Sequence, residues 1–170
     1  MERIEGAQRW AVTHHKHQTR KHSGLPYIVH PEAVAEMVSQ VTDDPNVIAA
    51  AWMHDLIEDT AITESDIRWY FNDRISDLVV EVSKVSTKHD GNRGKRVMID
   101  IDHYSKASKM GKVIKMADAI HNIPTIIRDD KKFAPKYVSE KMMLFEVIKD
   151  GDKVLSSILQ QIFTDFHKSP

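Results

Sequence analysis

The length, composition and charge of the chain limit the classes of protein to which it can belong. Its 170 residues suit one domain over 1–170, and 41% hydrophobic with 29% charged residues is typical of globular proteins rather than disordered ones. A formal net charge of -1 gives no basis for bulk attraction to nucleic acid or to a membrane. The absence of cysteine, of a leader-like N-terminus and of an apolar run of roughly 20 residues leads us to expect a cytoplasmic protein without a membrane span.

The hydrophobic pattern predicts an all-α fold. Apolar residues recur with a helical period along most of the chain, and strict alternation of the kind found in strands is scarce. Pro31 and Pro45 each suit the first turn of a helix, and Asp44 is the expected N-cap of the second one. We expect that second helix to continue without interruption through Glu58.

More helices are expected after this point. Thr63 and Asp66 have the spacing of a capping box, and residues 75–85 carry an apolar stripe. Residues 86–96 are polar and contain two glycines, which predicts a loop. Helices then resume from about residues 97, 112 and 135.

The most informative feature is the pair His54–Asp55 within the apolar segment AAAWMHDLIED, residues 49–59. An imidazole and a carboxylate are costly to bury there without a partner. Glu58 and Asp59 follow four residues after the pair, so one helix face can carry all four groups. A nitrogen donor beside a carboxylate suits a divalent metal such as Mn, Fe or Zn.

A second group of polar residues lies on another apolar segment. Asp118, His121 and Asn122 stand at positions i, i+3 and i+4, which is one stripe of a helix. His30 lies just before Pro31, where the start of a helix can direct its ring into a site shared with His54. The sequence therefore predicts a metal site built from separate segments.

Three motifs carry a resemblance to a known family. They are RKHSGLPYIVHP at residues 20–31, HDLIEDT at 54–60, and IKMADAIHNIPT at 114–125. Together they resemble the HD superfamily of phosphohydrolases and, more closely, the hydrolase domain of the RelA/SpoT family and its stand-alone small alarmone hydrolases. The resemblance covers roughly residues 7–128. His-Asp alone would be weak evidence, whereas three long motifs in the same order are specific.

The resemblance implies a compact HD-domain helical bundle and metal-dependent hydrolysis of the 3′-pyrophosphate of a guanosine alarmone such as ppGpp. The implied metal is usually manganese, and the implied partner is a small nucleotide. Carried over by position, the resemblance assigns the metal ligands as His30, His54, Asp55 and Asp118. It places Glu58 and Asp59 beside the reacting water and phosphate. The implied substrate contacts are Arg20, Lys21, Asn122 and Thr125.

Two departures from the family pattern bear on the substrate. The family often has a basic residue where this chain has Ala119, and an arginine where it has Pro124. Both changes remove positive charge near the expected pocket. An HD-type nucleotidase or phosphatase acting on another nucleotide is therefore the alternative function. A helical binding module without catalysis is a third hypothesis, which the intact ligand set argues against.

Each assigned group also has a structural alternative. Asp118 can be an acid in a helix salt bridge, and Glu58 with Asp59 can be the solvated end of a helix. Arg20 and Lys21 can be a solvated basic face, which is the commonest role of such a pair.

Overall fold

The computed structural model describes residues 2–21 and 23–168, and its regular structure is helical. That part of the chain contains ten α-helices, one short 3-10 helix and no β-strand, apart from an isolated bridge between Thr19 and Pro26. The expected all-α fold is confirmed. None of these helices has the length and apolar character needed to cross a bilayer.

The chain divides into two compact units, Met1–Ser83 and Lys84–Pro170. The described helices of the first unit are α1 (Glu2–His15), α2 (Val29–Ser39), α3 (Pro45–Met53), α4 (Leu56–Asp59), α5 (Glu64–Tyr70) and α6 (Asp73–Val82). Those of the second unit are the 3-10 helix Lys88–Asp90, α7 (Arg93–Ser105), α8 (Lys109–Asp129), α9 (Ala134–Ile148) and α10 (Lys153–Lys168).

Helix α3 is the central helix of the first unit. It begins at Pro45, and the Asp44 carboxylate accepts a hydrogen bond of 2.9 Å from the backbone N–H of Asn46, so the predicted N-cap is confirmed. Every residue from Val47 to Met53 is buried, and α3 packs against α1, α2 and α6. A helix that is apolar on all sides is stable only in such surroundings.

The expectation of one continuous helix through Glu58 is wrong, because α3 ends at Met53 and α4 starts at Leu56. Between them, Asp55 has φ -99° and ψ -3°, in the sparsely populated bridge region. Neighbouring residues of a regular helix do not face each other. The interruption allows His54 Nε2 and Asp55 Oδ2 to lie 3.1 Å apart.

Two other boundaries also differ from expectation. Helix α2 starts at Val29, so His30 lies in its first turn rather than before it. The expected loop over 86–96 is shorter, because it contains the 3-10 helix and the start of α7. Some of its polar residues are helix caps: the Asn92 side chain accepts a 3.0 Å hydrogen bond from the backbone N–H of Lys95. The expected capping box of Thr63 and Asp66 is confirmed at α5.

Helix α8 is the long helix of the second unit. The Ser108 hydroxyl caps it by accepting a 3.1 Å hydrogen bond from the backbone N–H of Gly111. Residues 113–119 are all buried, and α8 packs against α9 and α10. Pro124 lies inside the helix, which nevertheless continues to Asp129. Helix α8 therefore holds Asp118 and the polar residues after it on a rigid, largely buried element.

We predict that Gly151→Ala destabilises the protein, because Gly151 packs closely against α8. A Cβ at this position would lie 2.9 Å from Lys112 Cβ, 2.9 Å from Met116 Cε and 3.1 Å from the backbone nitrogen of Val113. Relief requires backbone movement, so we expect the free energy of unfolding to fall by about 1–3 kcal/mol. Urea denaturation of the variant and the original chain measures this difference.

Gly94→Ala is the matched control for that substitution. A Cβ at Gly94 would meet its nearest atom, Asn92 Oδ1, at an ordinary 3.5 Å. This variant should be neutral or up to about 1 kcal/mol more stable, because alanine suits a helix better than glycine. Equal stability of the two variants would show that the packing at Gly151 imposes no constraint.

Candidate active site

Three of the predicted metal ligands come together in the first unit. His30 is placed by the first turn of α2, and His54 and Asp55 by the interruption between α3 and α4. The Nε2 atoms of the two histidines are 3.2 Å apart, and Asp55 Oδ2 lies 3.1 Å from His54 Nε2 and 3.5 Å from His30 Nε2. The exposed fractions are 1% for each histidine and 9% for Asp55. Such a compact polar cluster inside an apolar unit needs a chemical explanation.

The hydrogen bonding of His54 shows which of its nitrogens can act as a ligand. Its Nδ1 lies 2.9 Å from the carbonyl oxygen of Ala51. A carbonyl oxygen only accepts hydrogen bonds, so Nδ1 carries a proton and donates it to Ala51. In the neutral ring the lone pair is therefore on Nε2, which faces His30 and Asp55. This backbone contact fixes the orientation that a metal-bound imidazole requires.

The spacing of the three donor atoms fits a single divalent ion. Two donors at about 2.0–2.2 Å from one ion, at angles of about 90–110°, lie about 2.8–3.6 Å apart. The three separations of 3.1, 3.2 and 3.5 Å all fall within this interval. Two imidazole nitrogens and one carboxylate oxygen suit a divalent first-row ion. The residues present therefore fit a resident metal.

Tyr27 connects this cluster to the next helix. Its hydroxyl donates a 2.6 Å hydrogen bond to Asp55 Oδ2 and lies 3.0 Å from Asp59 Oδ2. Burial, together with the charges of Asp55 and Asp59, raises the pKa of the Tyr27 hydroxyl far above its usual range, so it stays protonated and remains a donor. The sequence analysis assigned Tyr27 no role. The available signal was its place in the motif 20–31, three residues before His30.

A tight turn lies at the start of that motif. The bridge between Thr19 and Pro26 closes the turn, and Gly24 adopts φ +70°, which favours glycine. Just before the turn, Gln18 Nε2 donates a 2.6 Å hydrogen bond to the carbonyl oxygen of Asp59 on α4. No sequence signal identifies Gln18, because its partner lies 41 positions away.

The two predicted catalytic acids lie on α4. The backbone N–H of Asp59 donates a 2.9 Å hydrogen bond to the carbonyl of Asp55, so the expected four-residue spacing persists across the interruption. Asp59 is exposed and reaches Tyr27, whereas Glu58 is partly buried. Asp55 and Asp59 thus contact the same hydroxyl group, that of Tyr27. Its position is that of a group beside the cluster rather than within it.

The predicted basic substrate contacts, Arg20 and Lys21, belong to the same turn. The Arg20 guanidinium carbon lies 5.6 Å from the centre of the Tyr27 ring, a cation–π arrangement. Lys21 is exposed. Arg20 is thus held beside the ring of Tyr27, whose hydroxyl contacts Asp55.

The remaining predicted residues lie in the second unit, on α8. Asp118 Oδ2 is 3.0 Å from Lys115 Nζ, and the Asn122 side-chain amide donates a 2.5 Å hydrogen bond to Asp118 Oδ1. Thr125 donates from its hydroxyl to the carbonyl of His121 at 3.2 Å. The contacts of Asp118 match the structural alternative of a helix salt bridge, and its role as a metal ligand stays a prediction.

The sequence analysis did not single out Lys115, which is 5% exposed and lies 4.8 Å from the centre of the Tyr104 ring. The available signal was one lysine within the buried run 113–119, three residues before Asp118. A lysine is almost never buried without a partner.

Comparisons with known proteins identify the family of the chain. The family model of the HD domain matches residues 7–148. The guanosine-3′,5′-bis(diphosphate) 3′-pyrophosphohydrolase MESH1 of Xenopus tropicalis is 31% identical over 94% of this chain and 92% of its own length. The bifunctional (p)ppGpp synthase/hydrolase SpoT of Escherichia coli K12 is 34% identical over 78% of this chain. A probable guanosine-3′,5′-bis(diphosphate) 3′-pyrophosphohydrolase of Synechocystis is 34% identical over 64% of it. The chain spans only 19% and 15% of these last two proteins.

Solved structures share the fold. A metazoan ortholog of SpoT, described as hydrolysing ppGpp, has a TM-score of 0.89 at 23% identity, with 98% of this chain and 96% of that chain covered. Protein lmo0812 of Listeria monocytogenes EGD-e has a TM-score of 0.65 at 20% identity, with 83% and 99% covered. The family model covers most of the chain, and one relative of nearly equal extent exceeds 30% identity. The chain therefore belongs to the HD-domain family.

Proposed function

We propose that this chain is a metal-dependent pyrophosphohydrolase that removes the 3′-pyrophosphate of a guanosine alarmone such as ppGpp. The observation that carries the proposal is the cluster of His30, His54 and Asp55, whose donor atoms have the spacing of ligands to one ion. It occurs in an HD-domain chain that aligns over 94% of its length with an alarmone pyrophosphohydrolase.

The same proposal includes Mn²⁺ as the ion, Asp118 as the fourth ligand, and residues 1–170 acting as one HD-type domain. The family model runs from residue 7 to residue 148 and so crosses the boundary after Ser83. Asp118 also stands at the ligand position of the motif 114–125. A cytoplasmic location and the absence of a nucleic-acid partner stay predictions.

The proposed reaction breaks one phosphorus–oxygen bond. The oxygen of a water molecule forms a bond to the phosphorus attached to the 3′ oxygen. The bond between that phosphorus and the 3′ oxygen breaks, and ppGpp yields GDP and pyrophosphate. A divalent ion held by these residues would act as a Lewis acid on the phosphate and lower the pKa of a water molecule to about 7. Asp59 or Glu58 accepts the proton that leaves the water, and the protonated acid delivers it to the 3′ oxygen as that oxygen departs.

The substrate carries several negative charges, which the chain must neutralise and orient. Arg20 has the planar guanidinium suited to phosphate, and Lys21 adds a second, exposed positive charge in the same turn. Asn122 and Thr125 are proposed to contact the sugar and phosphates, by their match to the family motif. Phosphoryl transfer depends mainly on such positioning and electrostatic stabilisation.

The direct test is a product screen across nucleotides in the presence of Mn²⁺. We expect ppGpp to give GDP and pyrophosphate in a one-to-one ratio, resolved by ion-exchange chromatography, and chelation to abolish turnover. GTP and GDP are the controls, because they lack a 3′-pyrophosphate. No hydrolysis of ppGpp beside rapid hydrolysis of another nucleotide would refute the proposed substrate.

A second candidate is an HD-type nucleotidase or phosphatase that acts on another nucleotide. Ala119 and Pro124 favour it, because both stand where the family often has positive charge. Ala119 is buried and Pro124 is exposed. Neither side chain carries a charge or a hydrogen-bond donor, so neither can bind phosphate. The same screen, extended to nucleoside monophosphates, separates the two candidates by their products.

We predict that Asp55→Ala and Asp118→Ala each weaken Mn²⁺ binding and abolish turnover. Loss of a direct ligand should reduce affinity by more than the 10–100-fold that is typical of residues contacting ligands from outside. Isothermal titration of the metal-free protein with Mn²⁺ measures this. Asp43→Ala, an exposed acid of the first unit, is the control and should bind normally. Normal affinity in Asp118→Ala would leave Asp118 as the salt-bridge partner of Lys115.

Glu58→Gln and Asp59→Asn should separate proton transfer from metal binding. Each replacement keeps the shape of the side chain but removes its ability to accept a proton. We expect Mn²⁺ affinity close to that of the original chain, while kcat falls by about 10²–10⁴-fold for the acid that carries the proton. Asp43→Asn is the matched control. If both amide variants turn over at the original rate, α4 ends in a solvated acidic pair, and His121 is the next candidate for the proton carrier.

A further inference from the structure

The Tyr27 hydroxyl lies between two carboxylates to which the proposed function gives different tasks. It donates to Asp55 Oδ2 at 2.6 Å, and it is 3.0 Å from Asp59 Oδ2. Asp55 is a proposed metal ligand, and Asp59 is a proposed proton acceptor beside it. A single side chain, 28 and 32 positions away in sequence from these acids, thus contacts both.

Tyr27 is held in place by a ring contact and by a backbone hydrogen bond. It packs against the buried ring of His15, with centroids 4.8 Å apart and an interplanar angle of 34°. Its backbone N–H donates a 3.0 Å hydrogen bond to the carbonyl of Gln18. A hydroxyl at the end of a fixed ring has little freedom to move, so its position constrains the two carboxylates instead.

Gln18 links the same turn to α4 by a second route. Its side-chain Nε2 donates to the carbonyl of Asp59 at 2.6 Å, and its Oε1 lies 2.7 Å from His15 Nδ1. The amide oxygen can only accept, so His15 donates that bond. The Tyr27 hydroxyl has a single proton, so Asp59 is the more distant acceptor of a bifurcated hydrogen bond that Asp55 shares. The backbone of Asp59 is held in addition by Gln18.

We propose that Tyr27 is a positioning residue of the active site, whose hydroxyl fixes the Asp55 and Asp59 carboxylates relative to each other. This inference rests on the proposed function, in which Asp55 is a metal ligand and Asp59 accepts the proton of the reacting water. Groups that hydrogen-bond to a ligating carboxylate orient it toward the ion and limit its alternative conformations. The shared hydroxyl thereby couples the geometry of metal binding to that of proton transfer.

Tyr27→Phe is the decisive variant, because it removes the hydroxyl and keeps the ring that packs on His15. We expect the affinity of the nucleotide-free protein for Mn²⁺ to fall about tenfold. We expect kcat on ppGpp at saturating Mn²⁺ also to fall about tenfold, with KM changed by less than about twofold, because nucleotide binding is retained. The melting temperature of the metal-free protein should stay within a few degrees of the original, which excludes general loosening as the cause.

Tyr70→Phe is the matched control, since it makes the same chemical change at an exposed tyrosine of the same unit. Its Mn²⁺ affinity and kcat should equal those of the original chain. If Tyr27→Phe is indistinguishable from this control in both measurements, the inference is overturned.

Gln18→Met tests the two contacts separately. It removes the bonds to the Asp59 carbonyl and to His15 but keeps the Tyr27 hydroxyl on Asp55, so kcat should fall while Mn²⁺ affinity stays within about twofold. An equal loss of Mn²⁺ affinity in Gln18→Met and Tyr27→Phe would trace both losses to the turn as a whole and would overturn the role of the hydroxyl.

The two levels of the proposal fail in different ways. If the original chain binds Mn²⁺ but hydrolyses no alarmone, the proposed substrate is wrong. The Mn²⁺ titration of Tyr27→Phe still shows whether the Tyr27 hydroxyl orients Asp55 for metal binding. If the original chain binds no divalent ion, the proposed metal site is wrong and the inference falls with it.

Discussion

Two imidazoles and a carboxylate lie together in the interior of the first unit, where polar groups without partners are strongly destabilising. Much of the local structure serves to compensate this cost. The carbonyl of Ala51 accepts a hydrogen bond from His54, and the Tyr27 hydroxyl donates one to Asp55. The Nε2 atoms of His30 and His54 and the Oδ2 atom of Asp55 then face one another. The proposed divalent ion would complete that compensation, because it would bind all three ligand atoms at once.

The apolar character of α3 follows from the same constraint. A polar cluster at the end of a helix needs rigid surroundings if its donor atoms are to stay within a few tenths of an ångström of their positions. Helix α3 supplies this rigidity by burying every residue from Val47 to Met53 against its neighbours. The chain then leaves regular geometry at His54 and Asp55, where a continuous helix would point the two side chains apart. Rigid packing and a local departure from it are therefore both required.

In the second unit, α8 solves a related problem with protein groups. The buried Asp118 carboxylate receives Lys115 on one oxygen and Asn122 on the other. A cationic partner favours the charged form of a carboxylate, which is also the form that can bind a metal. Removing the charge at Lys115 would leave the acid poorly compensated. The ion pair and the proposed ligand role therefore depend on the same charged form of Asp118.

The sequence by itself determined the helical fold class and the caps at Asp44 and Thr63, and it singled out His54 and Asp55. These depend on local chemistry: a period of 3.6 residues, side chains that accept hydrogen bonds from backbone N–H groups, and polar groups that are costly to bury without a partner. The roles of the other candidate site residues came from the resemblance of three motifs to the HD superfamily. The interruption after Met53 could not be predicted, because apolar residues with good helix propensity stand on both sides of His54 and Asp55. The roles of Tyr27 and Gln18 were equally hidden, since each acts on residues 28 or more positions away. Only the tertiary structure brings such distant residues within hydrogen-bonding distance, and so only it decided how the two acids are held.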